Sequence, residues 1–119
     1  MNTMFKMVLP AALLFAGGPA QAAATLNFDL VNKTGYTIAE IYVGPATSNV
    51  WGQDFTGRDF IGNGERWDIR FPPRDSTCIH DIKVVFDDKD EAVWFGIDLC
   101  TVSEVSLYWD NGKTTFEFR

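Results

Sequence analysis

Four acidic side chains occupy five positions within "VVFDDKDEAVWFG", the stretch from residue 84 to 96. Hard cations prefer several carboxylate oxygens held near one point. The cluster therefore predicts a site for Ca²⁺ or a trivalent lanthanide, formed by Asp87, Asp88, Asp90 and Glu91. The other interpretation is a solvated hairpin turn, because the stretch lacks the spacing and the glycine of an EF-hand loop. Such an exposed ion would need water or a second copy of the chain to complete its ligands, which predicts a monomer or a weak, metal-bridged dimer.

His80 is the one histidine of the chain. A period-two pattern places it on the same face as Ile82, Val84 and Phe86, which predicts a hydrogen-bonded core residue, and Asp81 points the other way. The sequence has no Gly-x-Ser-x-Gly elbow, no HExxH and no phosphate-binding glycine loop. Paired carboxylates for glycoside cleavage are the remaining catalytic alternative, but so small a domain offers little cleft. We therefore expect a protein that binds rather than an enzyme.

Aromatic residues indicate a possible partner surface. On the same alternation Trp94 shares a face with Ala92 and Gly96, which predicts that it is partly exposed, as is Tyr108. The glycine-rich stretch 46–64 is either a binding loop or a plug of Trp51, Phe55 and Phe60, with Asp54 or Asp59 capping a bend. Exposed aromatic residues are common in protein interfaces. The predicted partner surface consists of Trp94, Tyr108, Trp51 and Asp54.

The elements that must position these residues are strands. Apolar and polar residues alternate in "TLNFDLVN" (25–32), "YTIAEIYV" (36–43) and "RWDIRF" (66–71), and no stretch has a helical period. The "NKTG" between the first two runs predicts a hairpin, and Asn111-Gly112 predicts a second one with a type I′ turn. About seven short strands predict an all-β fold, a small antiparallel β-sandwich or barrel.

Two cysteines lie at equal distances from Lys89. A hairpin loop at 87–91 would make Phe86 face Ala92 and bring Cys78 opposite Cys100, which predicts a disulfide between β-strands. A disulfide between Cys78 and Cys100 would close the loop between these residues and stabilise the fold by about 3 kcal/mol in the loop-entropy picture. A free thiol pair or a metal site is the weaker alternative, because the spacing is not Cys-x-x-Cys.

The N-terminal residues have the pattern of a secretory signal peptide. Lys6 precedes an apolar run, and Ala20-Gln21-Ala22 forms a small-residue cleavage site. Cleavage after Ala22 or Ala24 predicts a signal at 1–22 and a single β domain at 23–119, located in the periplasm or secreted. The apolar run is too short to span a bilayer, so no membrane insertion is expected. The net charge is −6, and −7 without Lys6, which argues against nucleic acid as a partner and favours cations or basic proteins.

Several motifs are similar to those of a family of small exported proteobacterial proteins. They are "NKTGYTIAEIYVGPA", "WGQDFTG", "GNGE" and the final "GIDLC" of the cysteine-flanked hairpin, and the resemblance covers about residues 28–108. Members of that family are often labelled argininosuccinate lyase. True lyases of that name are large helical tetramers with a Gly-Ser-Ser-x-Met-Pro-x-Lys loop, and this sequence has no such loop. The resemblance therefore implies a small exported domain and carries no catalytic residue to this chain.

The sequence thus predicts an acidic, disulfide-containing periplasmic binding protein without catalytic activity. The first hypothesis is a hard-cation binder that uses the acidic hairpin loop. The second is an envelope protein-interaction module that binds no metal and uses the aromatic residues and the glycine-rich loop. No cofactor other than Ca²⁺ or a trivalent lanthanide is indicated.

Overall fold

The computed structural model of the chain describes residues 26–71 and 77–119; the predicted signal peptide lies outside them. The described residues form seven strands and contain no helix long and apolar enough to cross a membrane. In chain order the strands are β1 (Phe28–Asn32), β2 (Ile38–Pro45), β3 (Arg66–Ile69), β4 (Ile79–Phe86), β5 (Glu91–Asp98), β6 (Glu104–Asp110) and β7 (Lys113–Phe118).

The strands form two sheets, which confirms the predicted all-β sandwich. The four-stranded sheet has the order β3-β1-β6-β7 and the three-stranded sheet the order β2-β4-β5. All pairs are antiparallel except β1 with β6, which run parallel. Parallel neighbours need a long crossover connection, and here everything between Asn32 and Glu104 serves as that crossover.

The hairpin predicted around "NKTG" is wrong, because β1 and β2 belong to different sheets. The buried side chain of Asn32 explains the crossing. Its Nδ2 donates to the carbonyls of Tyr36 and Ile61 at 2.7 and 2.9 Å, and its Oδ1 accepts from the N–H and hydroxyl of Thr34. These bonds satisfy the carbonyls of Tyr36 and Ile61 and the N–H of Thr34, and they fix the turn by which the chain passes from one sheet into the other.

The turn of the β4–β5 hairpin is shorter than the predicted loop at 87–91. Val84 pairs with Ala92, in place of the predicted pairing of Phe86 with Ala92, and the turn consists of residues 87–89. Lys89 has a φ of 78°, and its N–H donates to the Phe86 carbonyl at 2.9 Å. The tip is thus a tight turn with one residue in the left-handed region.

A β-bulge in β5 changes which side chains face inward. Ile82 pairs with Trp94, but His80 pairs with Ile97, so two residues of β5, Phe95 and Gly96, lie opposite Asp81. Gly96 adopts a φ of 71°, which suits glycine. The extra residue reverses the alternation, so Trp94 and Ile97 are both buried although they differ by an odd number of positions.

The core fills the space between the two sheets. Alternate residues of the facing strands point into it, and burial of each large apolar side chain stabilises the fold by about 1.5–3 kcal/mol. His80 joins this core, as predicted, with 1% of its surface exposed. The apolar core residues include Phe28, Leu30, Ile38, Ile41, Ile61, Ile69, Ile82, Val84, Phe86, Trp94, Ile97, Leu99, Val105 and Leu107.

Candidate functional site

The four acids at the β4–β5 turn are exposed. Asp88 Oδ1 accepts a hydrogen bond from the Asp90 N–H at 2.9 Å, which is the usual use of an aspartate in a turn. Among the described residues, the one set of three His, Cys, Asp or Glu ligand atoms within 4.8 Å of each other is Cys78, Asp98 and Cys100. The carboxylates of Asp87, Asp88, Asp90 and Glu91 are therefore not gathered at one point, and cation binding there stays a prediction.

The outward surface of the three-stranded sheet carries a cation between two aromatic rings. Tyr42 of β2 pairs with Lys83 of β4, so both side chains point to the same side. Lys83 Nζ lies 5.1 Å from the Tyr42 ring centroid and 5.4 Å from that of Trp51, which comes from the following loop. Both distances are within the range of an attractive cation–π contact.

Carboxylates surround Tyr42. Its hydroxyl donates to Glu40 Oε1 at 2.5 Å. This bond, partial burial and the negative charges of Glu40, Asp54 and Glu91 raise the pKa of Tyr42 to about 12, because each of them disfavours the phenolate. Glu91, which sequence analysis grouped with the hairpin tip, thus also belongs electrostatically to this sheet surface.

A buried carboxylate attaches the loop after β2 to the sheet. Asp81 is 4% exposed; its Oδ2 accepts from the Thr47 N–H at 3.0 Å and its Oδ1 from the Gly96 N–H at 2.9 Å. Asp81 thereby joins the loop, β4 and the bulge of β5. The loop also passes so close to Gly44 that a Cβ added there would lie 2.2 Å from the Val50 carbonyl oxygen.

Two large apolar side chains remain exposed on this surface. Val50, at the loop's closest approach, is 66% exposed, and Phe95 at the bulge is 68% exposed. Asp81 separates them, since it pairs with Gly44 on one side and faces the bulge on the other. β2 and β5 lie on either side of β4 here, so they are two strand spacings of about 4.8 Å apart. We name the set Tyr42, Val50, Trp51, Lys83 and Phe95 the aromatic face.

Asp54 holds the glycine-rich loop against β2. Its Oδ1 accepts from the N–H groups of Ile41 and Thr56, each at 2.9 Å, so the prediction that it caps a bend is confirmed. Phe55 packs against the core, as a plug would. Phe60 is largely exposed and Trp51 lies over Lys83 on the outer surface, so those two parts of the plug prediction are wrong.

The other predicted partner residues do not share a surface. Trp94 is 1% exposed, so the prediction of a partly exposed Trp94 is wrong. The physical reason is the bulge, which reverses the alternation after Phe95 and leaves Trp94 on the inward side with Ala92. Tyr108 is half-buried on the outer side of the other sheet, where its hydroxyl donates to Glu117 at 2.9 Å. Trp51 and Asp54 remain together near Tyr42.

The cysteines form the predicted disulfide, with Cα atoms of Cys78 and Cys100 5.1 Å apart. The ligand set of Cys78, Asp98 and Cys100 is therefore occupied by a covalent bond between the two sulfurs. His80 lies next to it, with Nδ1 3.2 Å from the Cys78 carbonyl oxygen and its ring 5.5 Å from that of Phe71. The contact between Nδ1 and that carbonyl gives this buried polar ring a hydrogen-bond partner at an inward position.

Sequence reasoning missed four residues of the aromatic face, Tyr42, Val50, Lys83 and Phe95, and also Glu40 beside it. The signal was available, because the alternation in "YTIAEIYV" puts Glu40 and Tyr42 on the polar side of β2. Which residues of β4 lie beside them depends on the pairing of two strands separated by more than 30 positions, and the sequence does not contain that register.

Comparison with known proteins supports the fold alone. No family model matches the sequence, and no curated protein matches it either. The structure is similar to the NMR structure of a protein from Eubacterium rectale, with a TM-score of 0.55 and 16% sequence identity. The match covers 85% of this chain and 94% of that chain, so the two share an architecture over nearly their whole lengths.

Proposed function

We propose that this protein is a non-catalytic binding protein of the bacterial envelope, and that its aromatic face binds a basic segment of another exported protein. The observation that carries the proposal is the exposure of Phe95 and Val50 on either side of Asp81, next to Lys83, which lies between two aromatic rings. The disulfide and the signal-like N-terminal sequence support an exported protein.

The aromatic face gathers exposed aromatic and apolar side chains on one surface, where a partner can cover them. Tyrosine, tryptophan and phenylalanine are the residues that contribute most to protein interfaces when they become buried at the centre of a contact. The aromatic face offers three such residues on a sheet, held in place by Asp81 below the loop. A rigid surface binds with little loss of conformational entropy.

Charge selects the kind of partner. The carboxylates of Glu40, Asp54 and Glu91 act on Tyr42, and those of Asp87, Asp88 and Asp90 lie at the adjacent turn. They exceed the positive charge of Lys83, so the surface attracts lysine- and arginine-rich segments and repels acidic ones. In this proposal the acids of the turn increase the association rate and are not ligands of an ion.

The test compares two equally exposed phenylalanines. Phe95→Ser changes the aromatic face, and Phe118→Ser is the control, because Phe118 is exposed to 62% at the end of β7. Oxidised wild-type and variant proteins capture partners from an envelope extract, and each captured protein is then purified and titrated directly. We expect a partner whose binding is lost in Phe95→Ser, kept in Phe118→Ser, and weakened by salt and by Glu91→Gln. Equal binding by both serine variants, or a partner insensitive to salt, would contradict the proposal.

The hard-cation hypothesis has its own support, which is the concentration of four exposed carboxylates within residues 87–91. A ligand that binds the folded state raises the melting temperature as its concentration exceeds the dissociation constant. Melting curves with Ca²⁺ and La³⁺, with Mg²⁺ as the reference ion, test it. A saturable increase that Asp88→Asn reduces and Asp110→Asn leaves unchanged would establish the cation site, since Asp110 lies at the other hairpin. Identical curves with all three ions would leave protein binding as the function of the turn.

A further inference from the structure

The outer side of the four-stranded sheet contains an open groove of about 380 Å³, on the opposite sheet from the aromatic face. One row of paired residues crosses its floor: Arg66, Val31, Ser106 and Glu117, from β3, β1, β6 and β7. Val31 is 6% exposed and Ser106 is 9% exposed, although both point away from the core. The side chains around them therefore form walls.

Three cations line this groove in a chain that carries a net negative charge. They are Lys33, Arg66 and Arg119, out of ten lysines and arginines in the whole sequence. Two carboxylates, Glu104 and Glu117, line it with them, and Asp29 pairs with Arg66, so the three cations face three carboxylates. A groove of this size is suited to a small ligand, and its charged lining favours a polar one.

Ion pairs position two of the three cations. Arg66 Nη1 lies 2.8 Å from Glu104 and 3.1 Å from Asp29, and Arg119 Nη2 lies 3.2 Å from Glu104. These arginines lower the pKa of the Glu104 carboxyl, which favours its charged form as their common partner. Guanidinium groups have five N–H donors, so donors remain for a ligand. Lys33 makes no ion pair with any described residue and is the available point charge.

Ser106 supplies a hydroxyl at the floor of the groove that no described residue bonds. The residue is 9% exposed, and its oxygen is not one of the fully buried polar atoms without a partner, so it keeps contact with the solvent in the groove. A ligand in the groove can therefore reach this hydroxyl, which both donates and accepts hydrogen bonds. The hydroxyl lies at the floor of the groove, in register with Val31 and Glu117.

We propose that this groove binds a small carboxylate that also carries hydroxyl groups, such as a hydroxy acid or a sugar acid. The carboxylate of the ligand accepts hydrogen bonds from Lys33 and from the guanidinium of Arg66. A ligand hydroxyl bonds to Ser106 on the floor, and another donates to the Glu117 oxygen that Tyr108 leaves free. A monoanion matches the single charge of Lys33, the lining cation outside the described ion pairs, whereas a dianionic phosphate would face Glu104 and Glu117 with uncompensated charge.

The experiment is an NMR titration of the oxidised, ¹⁵N-labelled protein with gluconate. Glucose serves as the uncharged molecule of similar size, and inorganic phosphate as the alternative anion. We expect gluconate at millimolar concentration to shift the amide signals of Val31, Ser106 and Glu117 in a saturable manner, and glucose to leave them unchanged. The aromatic face should not respond, so this result is independent of the function proposed above.

Matched variants distinguish a site from general attraction of anions. Lys33→Gln should weaken gluconate binding by about tenfold, since it removes a charge-assisted hydrogen bond. Lys113→Gln removes an exposed lysine at the start of β7 and should change nothing. Ser106→Ala should weaken binding while the remaining spectrum keeps its dispersion. Absence of a shift with gluconate, or equal shifts with phosphate that Ser106→Ala leaves unaffected, would overturn the proposal.

Discussion

The side chain of Tyr42 shows how one hydrogen bond sets the chemistry of a surface residue. Its hydroxyl donates to Glu40, two positions earlier on the same side of β2, and its ring contacts Lys83 on the neighbouring strand. The phenol is thus held neutral by a carboxylate while its ring faces an ammonium group. Both contacts orient the ring, so its conformation is fixed before a partner binds the aromatic face.

We expect Glu40→Gln to lower the pKa of Tyr42 from about 12 toward the ordinary value of 10.0. The hydrogen bond to Glu40 is the largest cause of the increase, with burial and nearby charges adding to it. Because the folded-state pKa is raised, the associated stabilisation is complete below pH 10 and is lost as the pH rises through about 12. An NMR pH titration of the Tyr42 ring measures the shift. Glu117→Gln, whose carboxylate partner is Tyr108, is the control, and a Tyr42 titration unchanged by Glu40→Gln would contradict the assignment.

At the scale of elements, the loop after β2 and the bulge of β5 act as one unit. The buried carboxylate of Asp81 accepts hydrogen bonds from the Thr47 N–H of the loop and from the Gly96 N–H of the bulge. The bulge exposes Phe95, and the loop carries Val50 and Trp51 onto the sheet. The aromatic face therefore depends on two irregular features rather than on the regular strands alone, which is common where β-proteins bind.

Gly44→Ala tests the close contact between loop and sheet. The added Cβ would lie 2.2 Å from the Val50 carbonyl oxygen, a backbone atom, so the loop must move. We expect a loss of about 1–3 kcal/mol in the free energy of unfolding, measured by urea denaturation. Gly62→Ala is the matched control, because its Cβ would meet only the flexible Glu65 side chain at 3.3 Å. Equal stability of the two variants would show that the loop does not pack on Gly44.

At the scale of the whole molecule, the side chain of Trp94 connects the two sheets. It extends from β5 across the core, and its Nε1 donates to the carbonyls of Tyr108 and Thr115 at 3.1 and 2.8 Å. These two residues are paired across β6 and β7. The indole thus combines a large buried surface with a satisfied polar group, and it fixes the position of β5 over the other sheet.

We expect Trp94→Phe to reduce the free energy of unfolding by about 2–4 kcal/mol. The variant loses the N–H donor shared by two buried carbonyls and leaves a cavity beside them. Trp51→Phe should cost less than about 1 kcal/mol, because Trp51 is only half-buried and keeps an aromatic ring over Lys83. Urea denaturation of the two variants provides the comparison. A small effect at Trp94 would mean that the sheets are held together without this bond.

The two sheets present surfaces of different character. The aromatic face lies on the three-stranded sheet among Glu40, Asp54 and Glu91, whereas the groove on the four-stranded sheet collects Lys33, Arg66 and Arg119. A sandwich separates such surfaces with its core, so a basic protein segment and a small anion could bind without competing. The two binding experiments are therefore independent measurements on one molecule.

Local patterns in the sequence predicted the elements well. Alternation identified the strands, and Asn111-Gly112 forms the predicted turn, with φ values of 52° and 80°. The disulfide was also predicted, although the register at the hairpin tip was wrong by two positions. The bulge inserts one residue between the turn and the cysteines, which brings the pairing there closer to the predicted one. The disulfide was therefore predicted correctly although the predicted turn was wrong.

The sequence by itself determined the all-β class, the disulfide and the acidic character, because these depend on side-chain period, residue type and composition. Only the tertiary structure decided which strands share a sheet, that Trp94 is buried, and which residues form the aromatic face and the groove. One physical reason is that a single inserted residue at Phe95-Gly96 reverses the side of the sheet to which the later side chains of β5 point. The other is that Asn32 redirects the chain through hydrogen bonds to partners as distant as Ile61. Such decisions depend on contacts between segments far apart in the chain, which no local pattern contains.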